Sequence, residues 1–307
     1  MSKFEEKDTS DIIVNSVEEV YAVIDKYNQE FHLPRKGGNT ETRAFYRGQS
    51  NFAWKIEPSI LRCSEDEGVL YRKNQSNLEG KDLFAQFAFL QHYGTGTRMI
   101  DFTTNPEVAM YFACERDPLL DAALYLYTYN AHKAEWIDTL MFTELMQMKG
   151  YNTIKSARIR IPPIKINSFS EQLLKKYPIL SQRFVRTAEL NMFLMAYLDH
   201  GYMVLPTEDV KIHNIRIRNQ EGVFFICGVE FTKDITTQMR FESQAGFNEF
   251  ISHSINIPDS LKAGSVCWKI HINKSLKPQI LSHLAKKGIT REYLFPDINV
   301  SNNYSVR

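Results

Sequence analysis

The sequence lacks any close pair of cysteines. Cys63, Cys114, Cys227 and Cys267 are scattered, with no CxxC spacing. Three of them stand among apolar neighbours, where a thiol acts as a small hydrophobe, so no metal site is expected. No run approaches the roughly 18 apolar residues of a membrane span. The first residues, MSKFEEKDTSD, are polar and acidic rather than the apolar core of a signal peptide. A cytoplasmic, reduced protein with no membrane partner is the expectation. Neither charge sign dominates: Lys+Arg 37 against Asp+Glu 36 leaves +1. That balance gives no global reason to expect nucleic acid, although it leaves room for a local basic groove. Internal repeats and low-complexity linkers are also missing.

What is present is enough apolar material for a large core, 43% of 307 residues. The most informative stretch is Gln91 to Arg116, QHYGTGTRMIDFTTNPEVAMYFACER. Met99, Ile100 and Phe102 read as a short strand. Asn105 can cap the following helix, Pro106 suits its first position, and Glu107 suits the positive end of its dipole. Val108, Ala109, Phe112 and Ala113 then share one helical face. His92, Tyr93, Arg98, Asp101, Thr103 and Thr104 therefore cluster where a strand hands over to a helix.

Elsewhere, Ser16 with Glu19 forms a capping-box pattern and predicts a helix to about Tyr27, preceded by a brief apolar stretch, Ile12 to Val14. His32 to Thr42 reads as a loop, and Ala44 to Arg47 as a short strand ending at Gly48. Helices are expected over Asp82–His92, Trp136–Met148, Ser170–Tyr177, Ala188–His200 and Leu276–Lys287, the last closed by Gly288. Ala122–Tyr129 and Trp268–Ile272 read as strands. Asn214 to Val229 reads as two strands flanking Gly222, or one strand bulged there. Helices and strands alternate irregularly, so the class is α+β. The expected division is a helical extension over 1–40 and one mixed domain over 41–307, with a helical insertion near 131–200.

Three segments together resemble the FRG domain family: Tyr46-Arg47-Gly48-Gln49; His92-Tyr93-Gly94 with Thr97-Arg98, Asp101 and Asn105-Pro106; and Arg216 to Phe224 with Gln220 and Gly222. Gly288-Ile289-Thr290 and Leu294-Phe295-Pro296-Asp297 resemble its C-terminal signature. The resemblance covers roughly 40–300. It implies a bacterial or phage protein in a defence or toxin setting, with an antitoxin or defence component as a protein partner.

The same residues also resemble Arg-type ADP-ribosyltransferases, which implies a split sheet with flanking helices and NAD as a substrate. By that resemblance Arg47 grips a phosphate of NAD, and Gly48, Tyr93, Arg98, Thr103, Thr104 and Phe224 line the nucleotide site. Catalysis falls to Arg47, His92, Asp101 and the pair Gln220-Glu221, because a carboxylate must stabilise the positive charge that develops as nicotinamide leaves. The matching position is Gln220, an amide; Glu221 on a regular strand would point to the opposite face. Glu242 is a further carboxylate candidate.

Plainer roles stand beside these. Arg47 and Asp101 can form an ion pair, His92 can cap carbonyls, and Thr103 and Thr104 can serve as turn residues. Gln220 can tie a bulge to its neighbour. Tyr125, Tyr127 and Tyr129 share one strand face, which suits a core better than a base-stacking platform. An NAD-consuming enzyme, a non-catalytic sensor or interaction module binding a nucleotide or another anion, and a metal-dependent nuclease using His92 and Asp101 are the three functional readings.

Overall fold

A computed structural model describes residues 12–31, 35–37, 40–62, 67–79, 83–93, 96–133, 140, 144, 159–161, 164–197, 202–227, 231–232, 239–241 and 266–296. In chain order the described elements begin with β1 (Ile12–Val14), α1 (Val17–Phe31), β2 (Arg35–Gly37) and β3 (Thr40–Gln49). Then come α2 (Glu67–Lys73), α3 (Gln75–Leu78), α4 (Leu83–Tyr93), β4 (Met99–Thr103), α5 (Pro106–Cys114) and β5 (Ala122–Lys133). The middle contains β6 (Ile159–Ile161), β7 (Ile164–Lys165), α6 (Ile166–Lys176), α7 (Thr187–Tyr197), β8 (Tyr202–Leu205), α8 (Glu208–His213), α9 (Ile215–Asn219) and β9 (Gly222–Ile226). The last part adds β10 (Phe231–Thr232), β11 (Met239–Phe241), β12 (Val266–Ile272), α10 (Lys277–Lys286) and α11 (Arg291–Leu294). The class is mixed α+β.

Eight strands form one sheet in the order β1-β12-β5-β8-β9-β4-β3-β2, and β5 also pairs with β3. That extra pairing closes β3, β4, β9, β8 and β5 into a ring. β5 makes closure possible because its long second edge is shared. Ala122 to Thr128 pair with β12, and Ala131 to Lys133 pair with β8. Side chains alternate along each strand, so one face of the ring strands points inward. Phe45, Ile100, Phe102, Tyr125, Tyr127, Met203, Val223 and Phe225 fill that interior. Tyr125 and Tyr127 are core residues there, stacked at 6.3 Å.

Helices cover the outside in two groups. α1, α5 and α10 bury Val20, Ile24, Val108, Ala109, Ile280 and Leu284 against Ala44, Tyr46, Leu124 and Leu126. α4, α6 and α7 bury Phe84, Phe87, Phe169, Leu173, Leu190 and Leu194 against Met99, Val204, Phe224 and Ile226. The segment from Ile12 to Phe31 is knitted into the main sheet, since β1 pairs in parallel with β12 and α1 joins the first core.

Two sequence expectations are corrected. The predicted loop over His32 to Thr42 contains β2, which pairs with the start of β3. Residues 214–221 are not strand. Asn214 caps α9 by accepting from the Ile217 N–H at 3.1 Å, and only then does β9 begin at Gly222. Ile217 is buried while Ile215 is 40% exposed. The Ile-Arg-Ile-Arg alternation thus marks one buried turn rather than a sheet face. The helix expected over Trp136–Met148 lies outside the described residues apart from Leu140 and Glu144, both helical.

Two contacts fix α5 and α10 on the sheet. A Cβ on Gly48 would stand 1.9 Å from the Ala109 carbonyl oxygen and 2.4 Å from the Ala113 nitrogen, so α5 crosses β3 at a spot only glycine allows. At the start of α10, Lys277 is 1% exposed. Its Nζ donates to the carbonyls of Ser50 at 2.8 Å, Asp117 at 2.9 Å and Arg116 at 3.0 Å. Burial holds this ammonium below its ordinary pKa, while the three carbonyls satisfy its donors.

Candidate functional site

The handover from β4 to α5 is built as its residue types dictate. Asn105 Oδ1 accepts from the Glu107 N–H at 2.9 Å, with Pro106 at the first helical position. Thr103 Oγ1 accepts from the Asn105 N–H at 3.0 Å and donates to the Gln220 carbonyl at 2.7 Å. Gln220 is buried, and its Nε2 donates to the Leu294 carbonyl at 2.9 Å. The Asn219 side chain likewise donates to the Tyr293 carbonyl at 2.6 Å. Three segments distant in sequence therefore meet, but the Gln220 amide is used to hold the C-terminal turn.

Glu221 behaves differently from its neighbour. It is exposed and has φ 45, the left-handed region that a residue with a side chain seldom adopts. Its carboxylate accepts from Asn105 Nδ2 at 2.8 Å and from Thr104 Oγ1 at 3.1 Å, and its carbonyl accepts from the Thr104 N–H at 3.2 Å. The reason for expecting Glu221 to turn away from a site was a regular strand, and no strand is present at this position.

Glu221, Thr104 and Gly222 line a cleft of about 610 Å³ together with Arg43, Lys133, Leu205, Pro206, Thr207, Glu208, Lys211, Arg218 and Val223. Its position follows from the topology. The C-terminal ends of β4, β5 and β8 and the N-terminal ends of β3 and β9 lie at one end of the ring, and the cleft is that mouth. Four cationic side chains line it against the two carboxylates Glu208 and Glu221, an excess of two positive charges. Lys211 Nζ contacts Glu208 Oε1 at 2.7 Å. The net charge of the whole chain conceals this local excess.

The remaining predicted residues are placed as follows. Arg47 lies on the inward face of β3 with Arg43 and Phe45, opposite Tyr125. Its Nη1 donates to the Asp101 carbonyl at 2.6 Å, and Arg47 does not line the cleft. The Asp101 carboxylate is exposed on the outer face of β4, accepting from Gln91 Nε2 at 2.9 Å. Gly48 serves the α5 crossing. Phe224 is a core residue with its ring 5.8 Å from Phe84, and Arg98 is 2% exposed. His92 and Tyr93 end α4, and their side chains lie outside the described residues, as does Glu242. The structure thus brings Thr104 and Glu221 together in the cleft and puts Arg47, Asp101 and Gln220 elsewhere.

Arg43, Lys133, Lys211 and Arg218 were missed by sequence reasoning. A signal existed for one of them: reading Asn214 as a helix cap would have turned the following arginines into a helical pair, Arg216 and Arg218. The other cations come from separate elements and carry no local mark.

A closed ring of strands with helices on two outer faces and a cationic mouth defines a class: a mixed α+β protein with an open, positively charged cleft at one end of its sheet. Within that class, an FRG domain is identified over residues 42–121, from the third residue of β3 to the residue before β5. The matched span holds both Gly48 and the helix that its missing side chain admits. No curated protein and no solved structure matches the chain. Among the described residues, no helix is long and apolar enough to cross a membrane, and no group of three or more His, Cys, Asp or Glu side chains could hold a metal.

Proposed function

We propose that the chain is a cytoplasmic nucleotide-binding protein that consumes NAD in the cleft at the mouth of the ring. The observation that carries this reading is the carboxylate of Glu221, fixed by Thr104 and Asn105 beside four cations. Arg43, Lys133, Lys211 and Arg218 would hold the phosphates, where guanidinium forks and ammonium groups are strong donors. Glu221 would accept a ribose hydroxyl and stabilise positive charge at the anomeric carbon. The C–N bond breaks with its electron pair leaving on nicotinamide, and water or an acceptor nucleophile forms the new bond and gives up a proton. The phosphate-gripping role expected of Arg47 passes to Arg43 on the same strand face. The defence or toxin setting, with a protein partner restraining the activity, belongs to the same proposal.

Purified protein incubated with NAD is expected to release nicotinamide, and Glu221→Gln is expected to reduce the rate by about a hundredfold or more. Expression in a bacterium should deplete NAD and slow growth only when Glu221 is intact. Nicotinamide release that is unchanged in Glu221→Gln would sink the assignment. A second reading, ligand binding without turnover, is favoured by Gln220, because its side chain is committed to Leu294. Tight NAD binding with no nicotinamide released would select it.

A further inference from the structure

The cations of the cleft stand on two walls. Arg43 and Lys133 belong to β3 and β5, which pair side by side, with Arg43 opposite Tyr129 and Thr40 opposite His132. Lys211 and Arg218 belong to α8 and α9, the helical connection that carries the chain from β8 to β9 over the mouth. Thr104 and Glu221 sit at the junction of β4, α5 and the turn before β9. A single phosphate concentrates its charge at one point, whereas the cations of the cleft come from two separate parts of the fold. A ligand with two bridged phosphates places one negative charge before each wall, and those two charges equal the positive excess of the lining.

Building on the nucleotide reading above, we infer that the cleft selects a diphosphate diester bearing a sugar, and that it reads the spacing of the two phosphates rather than total charge. The strand wall takes one phosphate, the helical wall takes the other, and Glu221 with Thr104 takes a sugar hydroxyl. Lys211 enters this arrangement already turned to Glu208, so binding exchanges one carboxylate partner for a phosphate. The exchange reduces the net gain at Lys211 and leaves Arg218 as the stronger contact on that wall.

Calorimetric titration of the full chain with ADP-ribose and with AMP tests this, because both carry about two negative charges near neutral pH while only the first divides them between bridged phosphates. ADP-ribose is expected to bind at least roughly tenfold more tightly than AMP. Lys133→Gln and Arg218→Gln, both at exposed positions, should each bring ADP-ribose down to the affinity of AMP while lowering AMP itself by only about threefold. A thermal melt of each variant confirms that it is folded. Equal binding of the two ligands to the parent protein, a parallel loss for both ligands in the variants, or no binding of either ligand would overturn the inference. NAD turnover with no preference for ADP-ribose over AMP would leave the proposed activity standing and remove this one. A clear preference without turnover would do the reverse.

Discussion

The two ends of the strand ring use polar residues in opposite ways. At the end near Gly48 and Lys277, the Lys277 ammonium is buried and satisfied by backbone, with three carbonyls accepting from it, and a helix backbone occupies the place of a missing side chain. At the mouth, charges of Lys133, Arg218 and Glu221 remain exposed around open space. A buried polar group that is fully satisfied rigidifies a fold, whereas an exposed set of like charges costs little until a ligand arrives. The lesson is sharpest in adjacent residues. Gln220 spends its side chain on the Leu294 carbonyl, whereas Glu221, held by Thr104 and Asn105, lines the cleft.

Substitutions can break this contrast, and Gly48→Ala should do most harm. Its methyl would overlap the Ala109 carbonyl, so a loss of about 3 kcal/mol or more is expected in urea denaturation. A soluble Gly48→Ala protein with an unchanged midpoint would show that α5 does not need its close approach. Lys277→Met comes next, at about 2–3 kcal/mol, because it strips three carbonyls of their donor.

The neighbouring pair follows. Gln220→Leu should lower stability by about 1–2 kcal/mol through the lost bond to Leu294. Glu221→Gly should change stability by less than about 1 kcal/mol, since relief of the left-handed backbone offsets two lost hydrogen bonds. The same Glu221→Gly protein should lose its response to NAD in a thermal-shift assay. If Glu221→Gly destabilises more than Gln220→Leu, the division of labour between the two is wrong.

The smallest effect concerns pH. Burial alone would raise the Glu107 carboxyl, but donation from Lys287 and Tyr21 outweighs it and holds the carboxyl below its ordinary 4.5. A carboxyl lowered in the folded state contributes stability that is complete above about pH 4.5 and disappears as pH falls through the folded value. Glu107→Gln should therefore flatten the acid limb of the stability curve by at most about 1 kcal/mol, as read from denaturation between pH 3 and pH 7. Identical acid limbs would remove Glu107 from the account.

The sequence revealed whatever was decided within a few residues. Asn105, Pro106 and Glu107 cap α5 as expected because capping is local chemistry, and Ser16 with Glu19 opens α1 for the same reason. Residues 214–221 misled because two isoleucines in alternation fit a strand, while the deciding contact, the Asn214 cap, occupies one residue. β2 gave no pattern because its three residues gain their structure from pairing with β3. The cleft was least legible, since Arg43, Lys133, Lys211 and Arg218 acquire a common wall only once β5 has joined β3 on one edge and β8 on the other. Thr104 and Glu221 could be found from the motif order, but the left-handed backbone that turns the chain at Glu221 could not.

The parallel zipper between β1 and β12 sets the order in which the molecule can be finished during synthesis. Residues near position 12 wait at the sheet edge until a stretch some 250 positions later has left the ribosome, so α1 lacks its full seat for most of translation. The cationic mouth, by contrast, is complete in sequence once β9 has emerged. A protein assembled in this order can close the cleft end of its ring before it locks the opposite flank.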